Sequence, residues 1–152
     1  PLYLMMLKTG LINNVVGLVF VYASTSIPMA VWMMKAYFEQ IPEEIDESAL
    51  LDGCSRAKVL ARIVLPLSKP GLISASMLTF VSVWHDYIYN STLITDRRLR
   101  TIPVGIYMFF TERGIEWSKL GAAIVLSTIP VIAIFFMFQK WFTPGLTTGS
   151  IK

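Results

Sequence analysis

Charge is scarce in this chain. Asp, Glu, Lys and Arg together make up 15% of its 152 residues, where soluble domains carry about 25%. Hydrophobic residues make up 55%, and the mean hydropathy is +0.61. So short a chain cannot hide that much apolar surface in an aqueous core, which excludes an ordinary soluble domain and points to lipid as the solvent. Cys54 is the single cysteine, which excludes an internal disulfide framework and a cysteine-based zinc site. No second His or Cys is available for a metal centre. No G-x-x-x-x-G-K-[ST] occurs, so the chain has no phosphate loop for ATP. Net charge is only +3 and no basic run exceeds Arg97-Arg98, which leaves nucleic-acid binding without support. The first residue is Pro1, not Met, and no charged n-region with a cleavage site follows, which predicts a piece of a longer chain.

The gaps in charge set the architecture. No charged residue lies between Lys8 and Lys35, nor between Lys119 and Lys140. A transmembrane helix needs about 20 apolar residues. Three such helices are predicted, at about 11–34, 70–93 and 120–140, in an all-α membrane protein. Pro28 and Pro130 lie inside the outer two and predict kinks, tolerated where neighbouring helices satisfy the freed carbonyls. Lys and Arg do not orient the spans. Seven lie on one side (Lys35, Arg56, Lys58, Arg62, Lys69, Lys140, Lys152) and six on the other (Lys8, Arg97, Arg98, Arg100, Arg113, Lys119).

A polar segment separates the first two spans. Ile41-Pro42-Glu43-Glu44 opens it, with Pro suited to the first helical position and acids suited to the positive end of the helix dipole. Ile45 and Ala49 share one face. Asp52-Gly53 ends this short helix in a turn that needs a left-handed residue. Ser55 is placed to cap a second helix, with Val59, Leu60, Ile63 and Val64 as its apolar stripe and Arg56, Lys58 and Arg62 as its polar side. The result is an acidic helix, a Gly turn and a basic helix. Passive packing at the membrane interface and docking into a partner's groove both suit these residues.

The same stretch resembles the EAA loop of the permease subunits of binding-protein-dependent ABC importers. The family pattern is Glu-Ala-Ala, three residues, Gly, nine residues, Ile, one residue, Leu-Pro. Here stand Glu47-Ser48-Ala49, Gly53 and Ile63-Val64-Leu65-Pro66, with every spacing kept and Ser48 the one departure. Ile41-Pro42, Trp84-His85-Asp86-Tyr87 and the stretch from Gly145-Leu146-Thr147 to Lys152 are similar to the carbohydrate-uptake branch, the maltose- and glycerol-phosphate-type permeases. That branch more often has Trp-Asn-Asp/Glu, so His85 departs from it. Permeases for peptide, phosphate or polyamine share the loop but less of the C-terminal pattern.

The resemblance implies the C-terminal half of a six-span protein in a bacterial-type plasma membrane, with 35–69 and the C-terminus cytoplasmic. It implies that Glu47, Ser48, Ala49, Asp52 and Gly53 dock on an ABC ATPase subunit, supported by Ile63, Leu65 and Pro66. ATP would be bound by that partner and no cofactor by this chain. A second permease subunit in a heterodimer and an extracytoplasmic solute-binding protein complete the implied assembly.

Two polar sites remain. Asp86 lies about 24 Å along the second span, in the outer half of a hydrocarbon core of about 30 Å or at its outer interface. Trp84, His85 and Asp86 are then candidates for a translocation path, while headgroup-level placement with Tyr87 and Tyr89 is the alternative. An enzyme using His85 and Asp86 as an acid–base pair is the remote alternative, because adjacent helical residues point about 100° apart. The loop 95–118 carries Asp96, Arg97, Arg98, Arg100, Glu112, Arg113 and Glu116, either as a docking surface for the binding protein or as a solvated loop.

Overall fold

The computed structural model describes residues 1–111 and 114–141. Glu112, Arg113 and the stretch from Gly145 to Lys152 lie outside the described residues. The described residues are mostly helical. Helix α1 (Leu2–Lys8) leads through a turn to α2 (Val15–Phe38), and α3 (Glu43–Leu51) follows. Next come α4 (Arg56–Val59), a π-helical stretch at Leu60–Val64 and α5 (Leu65–Leu67), then α6 (Lys69–Trp84) and α7 (Ile88–Leu93). A short α8 (Ile102–Tyr107) and a two-residue hairpin, β1 (Phe110–Thr111) against β2 (Gly114–Ile115), precede α9 (Trp117–Phe138).

By length and composition α2 and α9 are able to cross a membrane. Their large apolar side chains are exposed, among them Phe20, Trp32, Leu126 and Phe136. Such a surface is costly in water and ordinary in lipid. Both helices contain a Pro, and both carry hydroxyl residues just before it. Pro lacks the N–H that would bond the carbonyl four residues back. Ahead of Pro28, Ser24 Oγ and Thr25 Oγ1 donate to the Val21 carbonyl at 2.8 and 3.1 Å. Ahead of Pro130, the Ser127 and Thr128 hydroxyls both donate to the Ile124 carbonyl at 2.8 Å. The hydroxyls thus satisfy themselves inside apolar helices, and such back-bonding favours bending.

The second span departs from the uninterrupted 70–93 helix expected from sequence. Helix α6 stops at Trp84, and α7 begins only at Ile88. Sixteen residues rise about 24 Å, short of a hydrocarbon core of about 30 Å. A third span is counted only when α6 is joined to the preceding helix Arg56–Leu67, from which it bends by 71°. Asp86 supplies the physical reason for the break, described below.

The chain divides into two compact units. In the first, residues 1–26 and 79–137, the core is Met6, Leu18, Val21, Leu93 and Ile94. There α1 packs on α7. Asn13, at φ +56°, clasps the chain after α7. Its N–H donates to the Leu93 carbonyl at 2.8 Å, and its Oδ1 accepts from the Thr95 and Asp96 N–H groups. Asn90 is wholly buried, and its Oδ1 accepts the Thr101 N–H at 3.0 Å. In the second unit, residues 27–78 with 138–141, Gly71 is buried against the face of Tyr37, where any Cβ would collide with the ring.

Candidate functional site

Helix α3 and the turn after it form the centre of the polar segment. Pro42 is the residue preceding the helix rather than its first residue, and its φ of −59° suits the approach. Glu43, Glu44 and Asp46 fill the first turn, where the unpaired N–H groups favour negative charge. The other end closes with two backbone bonds that run back into the helix. Cys54 N–H donates to the Ala49 carbonyl at 3.1 Å, and Gly53 N–H to the Leu50 carbonyl at 3.0 Å. Asp52 is the C-cap and Gly53 follows it at φ +79°. This is a Schellman closure, which requires the left-handed residue that Gly53 provides.

The closure decides which side chains face outward. Ala49 is 7% exposed and turns inward, whereas Leu51 is 89% exposed. Glu47, Ser48, Asp52 and Gly53 are exposed. Among the described residues Glu47 makes no ion pair. Beside it runs a groove of about 460 Å³, with Glu43, Asp46 and Glu47 on one wall and Arg56, Val59 and Val64 on the other. An acidic, solvent-facing helix with no cation in its own sequence and an apolar residue at its tip is a surface suited to a basic cleft.

The second helix starts after Ser55, whose side chain makes no capping bond, contrary to the expectation from sequence. Its carbonyl alone receives the Lys58 and Val59 N–H groups. Val59 is buried and Ile63 and Val64 are half-buried, but Leu60 is exposed, so the apolar stripe is narrower than expected. Ile63 lies in the π-helical stretch, and Leu65-Pro66 follow it directly, both exposed. At the 71° bend stands Ser68, 2% exposed, whose Oγ has no partner among the described residues. Sequence reading passed over Ser68, although its place between Leu65-Pro66 and Lys69-Pro70 marks a break between helices.

Trp84, His85 and Asp86 sit at the break after α6, and each engages something different. Trp84 Nε1 donates to the Ser127 carbonyl at 3.1 Å. His85 is exposed, and its Nδ1 lies 2.9 Å from the Val81 carbonyl. Asp86 Oδ2 accepts from the Tyr22 hydroxyl at 2.9 Å and from Asn90 N–H at 3.2 Å, and its Oδ1 from Tyr89 N–H at 3.4 Å. The carboxylate therefore caps the start of α7, which explains why the helix breaks here. Tyr22 was not singled out from sequence; a phenol in an apolar span was its only sign. In the loop, Asp96 accepts Arg98 N–H at 2.9 Å, and Glu116 pairs with Lys119 at 2.6 Å.

Comparison with known proteins places this geometry. Residues 2–148 match the family described as "Binding-protein-dependent transport system inner membrane component", and the chain belongs to that family. It is 40% identical over 146 residues to the trehalose/maltose transport system permease protein of Thermococcus litoralis, covering 95% of this chain and 52% of that one. It is 34% identical over its whole length to the sulfoquinovosyl glycerol transport system permease protein of Agrobacterium fabrum, covering 53% of that protein. The crystal structure of a bacterial ABC transporter involved in the import of the acidic polysaccharide alginate superposes with a TM-score of 0.74 at 28% identity, over 93% of this chain and 55% of that one. The chain thus spans about half the length of these relatives.

Proposed function

We propose that this chain is part of the permease subunit of an ATP-driven importer for a carbohydrate, coupled to its ATPase through residues 47–53. The observation that carries the coupling is the Schellman-closed helix α3, which presents Glu47, Ser48 and Leu51 outward on a short rigid body. Family membership and sugar-transport relatives support the importer and its substrate class. In this reading an ABC ATPase subunit binds ATP and receives α3 in a cleft, with a basic residue against Glu47. A second permease subunit and an extracytoplasmic binding protein complete the assembly, and the polar segment faces the cytoplasm. Closure of the ATPase moves α3 as a lever, and Leu60–Ser68 transmits the movement to the spans. Rigid elements with two arrangements accomplish alternating access in this way. Trp84, His85 and Asp86 are assigned to the rim of the path, with His85 as the exposed member.

Crosslinking tests the coupling. Ala49 is buried, so single cysteines belong at Ser48 and Leu51, in a Cys54→Ser background of the full-length chain co-expressed with its ATPase subunit. A crosslink whose yield changes with ATP is expected. Correct membrane insertion with no crosslink at either position would return the segment to passive interfacial packing.

A further inference from the structure

Ser68 stands at the 71° bend with its hydroxyl unpaired. It is 2% exposed, and its Oγ has no hydrogen-bond partner among the described residues. A buried hydroxyl without a partner costs free energy in the arrangement that leaves it so. Ser74, further along α6, is 5% exposed and donates to the Pro70 carbonyl at 2.9 Å. Burial of a serine in this region therefore goes with a partner elsewhere, and Ser68 is the exception.

The backbone shows which bond the hydroxyl is one step from making. Ser68 closes α5 and opens α6 at once. Its N–H donates to the Val64 carbonyl at 2.9 Å, and its carbonyl accepts the Leu72 N–H at 3.0 Å. Accepting the first bond of α6 makes Ser68 the N-cap of that helix, and an N-cap side chain bonds the N–H of the second or third helical residue. The second is Pro70, which has no N–H, so Gly71 is the donor left. Gly71 is held against the Tyr37 ring, which fixes the start of α6. Reaching its N–H takes an extended backbone at the cap. Ser68 stands instead at φ −83° and ψ 6°. Asp96, an N-cap at ψ 124°, does accept a helix N–H with its side chain, from Arg98.

We propose that Ser68 is a two-position hinge between the polar segment and α6. In the bent arrangement its hydroxyl is buried and unpaired. In the second, ψ of Ser68 is extended and the hydroxyl caps α6 through the Gly71 N–H. Rotation about this one torsion turns everything before it against everything after it. The bond to Val64 lies wholly on one side and the bond from Leu72 wholly on the other, so both survive the change. Pro66 and Pro70, having no N–H, add no ladder bonds that would lock the turn. The unpaired hydroxyl raises one arrangement and the cap bond lowers the other, which brings the two close enough in free energy for a partner to choose between them. The hinge rests on the coupling reading for its drive, since α3 lies before Ser68 and the span after it.

The test uses the full-length chain in its assembled transporter in lipid nanodiscs, in a Cys54→Ser background. Spin labels go on Lys58→Cys and Leu72→Cys, both exposed and on opposite sides of the bend. Wild type is expected to show one distance at rest and a second when a non-hydrolysable ATP analogue is added. Ser68→Ala should lower the second population several-fold and uptake with it, while Ser68→Thr should restore both. Ser68→Ala should also unfold no lower than wild type, because the hydroxyl it removes makes no bond at rest. An equal second population in wild type and Ser68→Ala would overturn the hinge. A single distance in wild type, in a transporter whose Leu51 crosslink responds to ATP, would overturn it too and leave the coupling standing. If the crosslink does not respond, the coupling reading has failed and the unfolding midpoint decides. Ser68→Ala unfolding below wild type would then show that the hydroxyl is already bonded in the bent arrangement, which removes the basis of the hinge.

Discussion

Tyr22 and Asp86, 64 residues apart in sequence, meet through a 2.9 Å hydrogen bond from the phenol to the carboxylate. The bond joins α2 to the break between α6 and α7. Asp86 also holds the first N–H groups of α7, so it serves two structural tasks at once. Tyr22→Phe removes one donor and should cost about 1 kcal/mol, the net worth of a typical intramolecular hydrogen bond. Asp86→Ala removes that bond and the cap together and should cost more, by about a further 1 kcal/mol. Asp86→Asn keeps an acceptor for the cap and should fall between wild type and Ala. Thermal unfolding midpoints of the purified full-length chain give the order. Asp86→Ala unfolding at the wild-type temperature would show that the carboxylate does not hold the break.

Gly53 separates folding from docking. Its φ of +79° is disfavoured for side chains, yet nothing lies within 4 Å of a Cβ placed there. The cost of Gly53→Ala is thus conformational alone, about 1–2 kcal/mol. Asn and Asp visit the left-handed region more readily, so Gly53→Asn and Gly53→Asp should leave membrane insertion and yield close to wild type. Uptake should nevertheless collapse in Gly53→Asp, because bulk and negative charge are added at the tip that the ATPase is proposed to receive. Transport assays with matched membrane levels check this. Wild-type uptake by Gly53→Asp would mean that the tip meets no partner.

Gly71 and Tyr37 make a different kind of contact, one of space. A Cβ at Gly71 would collide with the Tyr37 ring. Gly71→Ala should therefore destabilise by about 1–3 kcal/mol through overpacking. Tyr37→Ala in the same chain makes room, so the double variant should recover part of the loss. A double-mutant cycle on unfolding midpoints measures the coupling. Strict additivity would mean that the ring moves aside at no cost.

Much of this was legible from sequence because it rests on local rules. Uncharged stretches located α2 and α9 within a few residues. The pair Asp52-Gly53 announced the end of α3, since only a few residue types accept a left-handed turn. The break at His85–Asp86 was not legible, and the reason is physical. A run of apolar residues around an acid reads as one helix unless the partners of that acid are known. Here they are a phenol in another helix and two N–H groups ahead in the chain. The roles of Asn13, Asn90 and Tyr37 were hidden likewise, since each depends on residues distant in sequence. Ser55 illustrates the converse case. Its type and position satisfied the capping rule, yet its side chain makes no bond.

Trp84 distinguishes a brace from a sugar platform. Its indole N–H is bonded to the Ser127 carbonyl, three residues before Pro130, and its ring lies 5.4 Å from Phe80. Pro130 leaves the Leu126 carbonyl without its helical donor, and the indole binds the neighbouring Ser127 carbonyl from outside the helix. Trp84→Phe keeps an aromatic face but deletes the donor. If the brace is the main role, stability should fall by about 1 kcal/mol while the substrate concentration for half-maximal uptake stays unchanged. Trp84→Leu removes the face as well. Should Leu raise that concentration tenfold or more while Phe does not, the ring face is a stacking surface for substrate, and Trp84 lines the path itself. Equal half-saturation in wild type, Phe and Leu, with stability falling from one to the next, would assign Trp84 to the brace between α6 and the last span.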